Sequence, residues 1–182
     1  MTNASAPPAT QAQKIAAFRA LHERGCFLLP NPWDAGSARY LQALGFKALA
    51  STSAGFAWTM GRNDYGLKVD EVVDHLAALC RVTDIPLNAD FEGGFAVEPE
   101  GVAANVKKAV AAGVAGLSIE DRAEAGAAEP LLDFALSVER IRAARAGIDQ
   151  TGTGAVLTAR CESYLVGLND VTLTIERLVA YA

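Results

Sequence analysis

A chain of 182 residues, 51% hydrophobic and carrying a net charge of −5, is long enough to bury a core within one domain and too apolar to be disordered. No apolar run approaches the ~20 residues that cross a bilayer, and the 16 Lys and Arg are scattered along the chain, which argues against nucleic acid as a partner. Cys26, Cys80 and Cys161 are widely spaced and form neither a metal-ligand spacing nor a disulfide framework. A cytoplasmic protein without a membrane partner is expected.

Met1 to Thr10 are small and polar, lack the basic start and apolar middle of a secretory leader, and read as a flexible N-terminal tail. Residues 11–182 read as one domain in which helix and strand alternate. A helix from Gln11 to Arg24 leads through Gly25 to a strand, Cys26 to Pro30. A second helix, Asp34 to Leu44, stops at Gly45 before a strand from Ala48 to Ser53. Helix Val69 to Arg81 precedes strand Ile85 to Asp90, and helix Pro99 to Ala112 stops at Gly113 before strand Ala115 to Glu120. Helix Leu131 to Arg145 precedes strand Ala155 to Arg160, and Val171 to Ala182 opens a further helix. Two joints repeat, around Gly45 and Gly113: a helix closed by a glycine suited to the left-handed conformation, then a short step into an apolar strand.

Short connections between alternating helices and strands require parallel pairing and right-handed crossovers. The fold expected is α/β, a (β/α)8 barrel of the TIM type, with a doubly wound open sheet as the runner-up. Such a barrel has eight strands over roughly 250 residues. Five are legible here, so about five of eight strand–helix units are expected, in a partial barrel domain truncated at its C-terminal end.

Three of these strands end in charge: Asn88-Ala89-Asp90-Phe91-Glu92, Ser118-Ile119-Glu120-Asp121 and Ala159-Arg160-Cys161-Glu162. A buried carboxylate is costly unless paired or bound to a metal, and α/β folds bind ligands at the carboxyl edge of the sheet. Gly93 and Gly94 follow the first acid pair and free the backbone to turn. Oxygen-only ligands of this kind suit a hard divalent cation such as Mg²⁺, or Mn²⁺, held by Asp90, Glu92 and Glu120. Arg160 is then placed to hold a substrate carboxylate by two parallel hydrogen bonds. The set fits a 2-oxo acid whose enolate charge is stabilised electrostatically; the alternative is a group of ordinary ion pairs at the barrel rim. The run Ala50-Ser-Thr-Ser-Ala-Gly55 offers a cradle for an anion. Asp64 either reaches the site or caps the following helix. Trp33 and Trp58 either wall the site or pack under loops, and the small, polar run Arg122 to Pro130 is either a lid or a plain exposed loop. His22 and His75 read as surface residues.

These residues are similar to the isocitrate lyase and phosphoenolpyruvate mutase superfamily, from about Gln13 to the end. The resemblance rests on Ser51-Thr52-Ser53, Gly61 to Asp64, Asp90-x-Glu92-Gly-Gly, Ser118-Ile-Glu-Asp-Arg122 and Ala159-Arg-Cys-Glu162, in order and at the family's spacing. It implies a Mg²⁺-dependent (β/α)8 enzyme that makes or breaks C–C or P–C bonds in 2-oxo acids or hydroxy di- and tricarboxylates, as a homo-oligomer (dimer or tetramer). It implies metal-site roles for Asp90, Glu92 and Glu120, a substrate-carboxylate cradle at Thr52, Ser53 and Ala54, an acid near the metal at Asp64, and a substrate-facing Arg160; Arg160, Asp64 and Glu120 are the catalytic candidates.

Two departures narrow the expectation. Glu92 stands where the family usually has aspartate. The stretch after Glu120, Arg122-Ala-Glu-Ala-Gly-Ala, lacks the Lys-Lys/Arg-Cys-Gly-His segment of true isocitrate and methylisocitrate lyases. The expected activity is therefore a Mg²⁺-dependent lyase or decarboxylase acting through a metal-stabilised enolate. The alternatives are a phosphoenolpyruvate mutase- or phosphonopyruvate hydrolase-like enzyme, another Mg²⁺-enolate barrel such as an aldolase, and a catalytically silent truncated member.

Overall fold

The computed structural model describes residues 7–182. Of the expected tail, residues 1–6 lie outside the described residues, whereas Ala9 N–H donates to Asp84 and Thr10 caps helix α1 (Gln11–His22) in a reciprocal box with Gln13. After α1 come α2 (Ala35–Ala43), β1 (Leu49–Ala50), α3 (Ser53–Thr59), α4 (Val69–Val82) and β2 (Leu87–Asp90). The order continues with α5 (Pro99–Ala111), β3 (Gly116–Glu120), α6 (Phe134–Thr151), β4 (Val156–Arg160) and α7 (Val171–Tyr181). The four strands form one parallel sheet in chain order, β1-β2-β3-β4, as helix-linked strands must. Gly45 (φ 90°) and Gly113 (φ 105°) take the left-handed conformation just past α2 and α5, as the repeated joint requires.

The sheet divides by alternation. Leu87, Ala89, Leu117 and Ile119 are buried beneath the helices, and the other face presents Asn88 and Asp90, Ser118 and Glu120, Thr158 and Arg160, with Asp90 paired to Ser118 and Glu120 to Arg160 in register. α1 closes the amino end of the strands. Phe18 is 1% exposed and sits so close to Gly116 that a Cβ there would meet its ring at 2.7 Å. α5 and α6 pack backbone to backbone at Gly147, where a Cβ would lie 2.8 Å from the Ala103 carbonyl. Among the described residues no helix is long and apolar enough to cross a membrane, and all three cysteines are free.

Four local expectations are corrected. Cys26–Pro30 is not a strand: its link to β1 is Ala50 N–H to the Pro30 carbonyl (3.1 Å), because Pro30 and Pro32 have no N–H to continue a ladder. β1 ends two residues after Ala48, and the chain turns at Thr52, whose hydroxyl accepts from Gly55 N–H (3.0 Å) and starts α3. α6 begins at Phe134, not Leu131, because Asp133 caps it, and runs on to Gly152 (φ 67°). His75 is half-buried, not a surface residue. It stacks on Phe56 at 3.7 Å, and burial pushes it down to about 4.

Candidate active site

The acids and the arginine meet at the carboxyl ends of β2, β3 and β4. Arg160 reaches across them: Nη1 lies 3.2 Å from Asp90 Oδ1 and 2.7 Å from Glu120 Oε1, and Nη2 lies 2.9 Å from Glu162 Oε1. Thus one guanidinium answers three carboxylates, two of them, Glu120 and Glu162, at most 5% exposed. Asp90 Oδ2 accepts from both the N–H and the hydroxyl of Ser53, each at 2.8 Å. The expected cradle Thr52-Ser53-Ala54 is therefore the first turn of α3, next to the acids, and its Ser53 N–H is already given to Asp90.

Glu92 does not follow the alternation of β2. The strand ends at Asp90, and Glu92 adopts φ 46°, with Gly94 at 76° and Phe95 at 55°. Left-handed backbone at a residue other than glycine costs about 1–3 kcal/mol, so this turn is held by its surroundings. Glu92 is 5% exposed, and its Oε1 has no hydrogen-bond partner. Burial, then the negative charges of Asp64, Asp90 and Glu120, push its carboxyl up to about 8. Burial likewise raises Glu120 to about 7, against the pull of Tyr65 and Arg160. Asp64 is exposed and accepts from Tyr65 N–H (3.1 Å); it stands near Glu92 without bonding it.

Tyr65 was not legible from sequence spacing. Its hydroxyl donates to Glu120 Oε2, and Arg122 lies over its ring at 4.4 Å. Both line a cavity of about 580 Å³ together with Asp64, Glu92, Phe95 and Leu132. The loop after β3 is closed at its base by an Arg122–Leu131 bridge and the Leu132 N–H to Asp121 carbonyl bond (2.9 Å). Trp33 and Trp58 are exposed, at 50% and 69%, and do not line this cavity.

Among the described residues, no three acidic, His or Cys groups are arranged to hold a metal ion; Arg160 supplies the positive charge among the acids. The donor set nevertheless fits a hard divalent cation. It is all oxygen, Glu92 Oε1 is buried without a partner, and neighbouring carboxylates disfavour one another's ionisation, which a cation would relieve.

The pH dependence follows. In the unfolded chain Glu92 titrates near its ordinary value of 4.5, and in the fold near 8. The fold therefore prefers the protonated form, and this contribution to stability is full below pH 4.5 and lost as pH rises through 8. The metal-free protein is expected to lose thermal stability across that window, and Glu92→Gln to flatten the loss. Melting curves from pH 4.5 to 9 test this; parallel curves for the two proteins would mean that Glu92 is not the group responsible.

A parallel α/β sheet with acids and an arginine gathered at its carboxyl edge presents charge at the end of the strands where α/β folds, barrels among them, bind ligands. The sequence model of the family described as phosphoenolpyruvate phosphomutase matches residues 18–182. The 2-methylisocitrate lyase of Escherichia coli (strain K12) is 30% identical over 171 residues, covering 91% of this chain and 57% of that one. A solved structure from Burkholderia cenocepacia J2315, named provisionally as a lyase/mutase, is 47% identical with a TM-score of 0.89, over 94% of this chain and 61% of that one. Oxaloacetate acetylhydrolase, solved with its product oxalate, is 30% identical with a TM-score of 0.84, over 97% of this chain and 61% of that one.

The chain belongs to the phosphoenolpyruvate mutase/isocitrate lyase superfamily. It spans about 60% of the length of these relatives and carries their parallel barrel sheet as far as β4 and α7.

Proposed function

We propose that the protein is a cytoplasmic, Mg²⁺-dependent carbon–carbon lyase or decarboxylase acting on a small 2-oxo or 2-hydroxy dicarboxylate. The observation that carries this is the Arg160 constellation: three carboxylates on successive strand ends around one guanidinium, with the unpartnered Glu92 oxygen beside them. Asp90, Glu92 and Glu120 would hold the metal, directly or through water. The bound ion would supply the positive charge against which a developing enolate is stabilised. The remaining chemistry belongs to the chain. Arg160 would offer N–H donors to a substrate carboxylate in exchange for carboxylates it now holds. Ser53 fixes the orientation of Asp90, and Tyr65 that of Glu120. Thr52, Ser53 and Ala54, at the start of α3, border the space the carboxylate would occupy, and Asp64 adds an exposed acid at the cavity mouth.

Oxalate in the related acetylhydrolase is the kind of planar dianion this arrangement would accept. Turnover of a panel of 2-oxo and 2-hydroxy di- and tricarboxylates tests the reading. Product release that stops with chelator and with Arg160→Ala is expected; turnover indifferent to chelator would remove the metal from the chemistry. Tight Mg²⁺-dependent oxalate binding without any turnover would instead favour a silent member.

A further inference from the structure

The strained turn that carries Glu92 is gripped from behind. Four successive carbonyls, of Gly93, Gly94, Phe95 and Ala96, each accept from a side chain on the outer helices. Arg140 on α6 donates Nη2 to Gly93 and to Ala96 (2.9 Å), and Asn105 on α5 donates Nδ2 to Gly94 (3.0 Å) and Phe95 (3.2 Å). Arg140 also reaches the end of β3, donating Nη1 to the Glu120 carbonyl (3.3 Å). It is 2% exposed and forms no ion pair among the described residues. A buried guanidinium whose Nη groups bond only to backbone carbonyls, with Nε left unpartnered, is an expensive way to hold a turn. Glycine at 93 eases the approach: a Cβ there would lie 3.1 Å from Arg140 Nη2, tighter than an ordinary contact.

We infer that Arg140 and Asn105 are the positioning residues of the acid site: together they impose the left-handed backbone of residues 92, 94 and 95 and fix the Glu92 carboxylate relative to Glu120. Arg140 is the link between the two, because its one head group touches the turn after Glu92 and the backbone of Glu120 itself. The inference rests on the reading of Asp90, Glu92 and Glu120 as a metal site for its functional consequence, and on backbone geometry alone for its structural one. Two reporters follow from the geometry. Gly94 N–H donates to the Phe91 carbonyl and Glu120 N–H to the Glu92 carbonyl, both at 2.9 Å, so each amide registers the state of the turn.

The experiment uses the whole chain with Arg140→Met and, separately, Asn105→Leu, which keeps side-chain volume while removing the donors. In the metal-free proteins, amide shifts and hydrogen exchange are read at Gly94 and Glu120; Mg²⁺ affinity is then read by calorimetry in the presence of oxalate. Faster exchange at both amides and Mg²⁺ affinity weakened about tenfold or more, the range for losing an outer partner of a metal ligand, are expected. If Arg140→Met does not fold, Asn105→Leu carries the same two readouts. Unchanged exchange would overturn the clamp. Altered exchange with wild-type Mg²⁺ affinity would overturn its positioning role, and leave only a contribution to stability. A wild-type protein that binds no Mg²⁺, with exchange altered in the variants, would sink the metal reading and support the clamp as the device that shapes the turn.

Discussion

Replacing Asp121 by alanine is expected to cost the fold about 3–5 kcal/mol, the range for removing one partner of a buried ion pair. Asp121 is 3% exposed and uses both oxygens. Oδ2 accepts from Arg177 Nη1 (3.1 Å) and from the Tyr181 hydroxyl (2.6 Å), which ties α7 to the end of β3. Oδ1 accepts from Glu162 N–H (2.8 Å), which fixes the turn after β4. Alanine would leave the Arg177 guanidinium buried with the Leu132 carbonyl and the Ser137 and Tyr181 hydroxyls as partners and no counter-charge. The double variant Asp121→Leu, Arg177→Met removes both charges and is expected to recover much of the loss. Urea unfolding of the three proteins gives the comparison; a single variant within 1 kcal/mol of the parent, by the same standard, would show that the pair is dispensable. Because Glu162 also holds Arg160, Asp121→Ala should weaken ligand binding even in the folded fraction.

Asp90→Ala is expected to lower Mg²⁺-dependent oxalate binding by roughly 100-fold or more, beyond the cost of losing an outer partner of a metal ligand. The fold should survive, since Arg160 keeps Glu120 and Glu162. What is lost locally is the acceptor for Ser53 N–H and hydroxyl, worth about 1–3 kcal/mol for a donor left unsatisfied. Calorimetry on the folded variant decides the matter; full binding would remove Asp90 from the site.

Much of this was legible in the sequence because it is local. The charged strand ends at Asp90, Glu120 and Arg160 were visible as apolar runs ending in polar residues, and the sheet does bring them together. Gly45 and Gly113 announced helix ends because a residue beyond the last turn must take a positive φ. What stayed hidden depends on contacts between distant residues. Tyr65 reaches Glu120 across 55 positions, and nothing in its neighbourhood marks it. Arg140 and Asn105 carry no local mark of their role, and their head groups face inward onto a turn 47 and 11 residues away. Glu92 reads in the sequence as the last acid of a strand end, whereas the chain has already left β2 and enters the left-handed region there. The helix at Ser53 was hidden because a cluster of small hydroxylic residues signals a loop and a helix cap equally well.

The most direct measurement is a calorimetric titration of oxalate into the protein, with and without Mg²⁺. Heat of binding that is present with Mg²⁺ and absent without it is the predicted result, and it would mean that Asp90, Glu92, Glu120 and Arg160 form a working metal-and-anion site. Absence of binding by a folded sample in both conditions would contradict it, leaving these residues as ion pairs at the rim of the sheet.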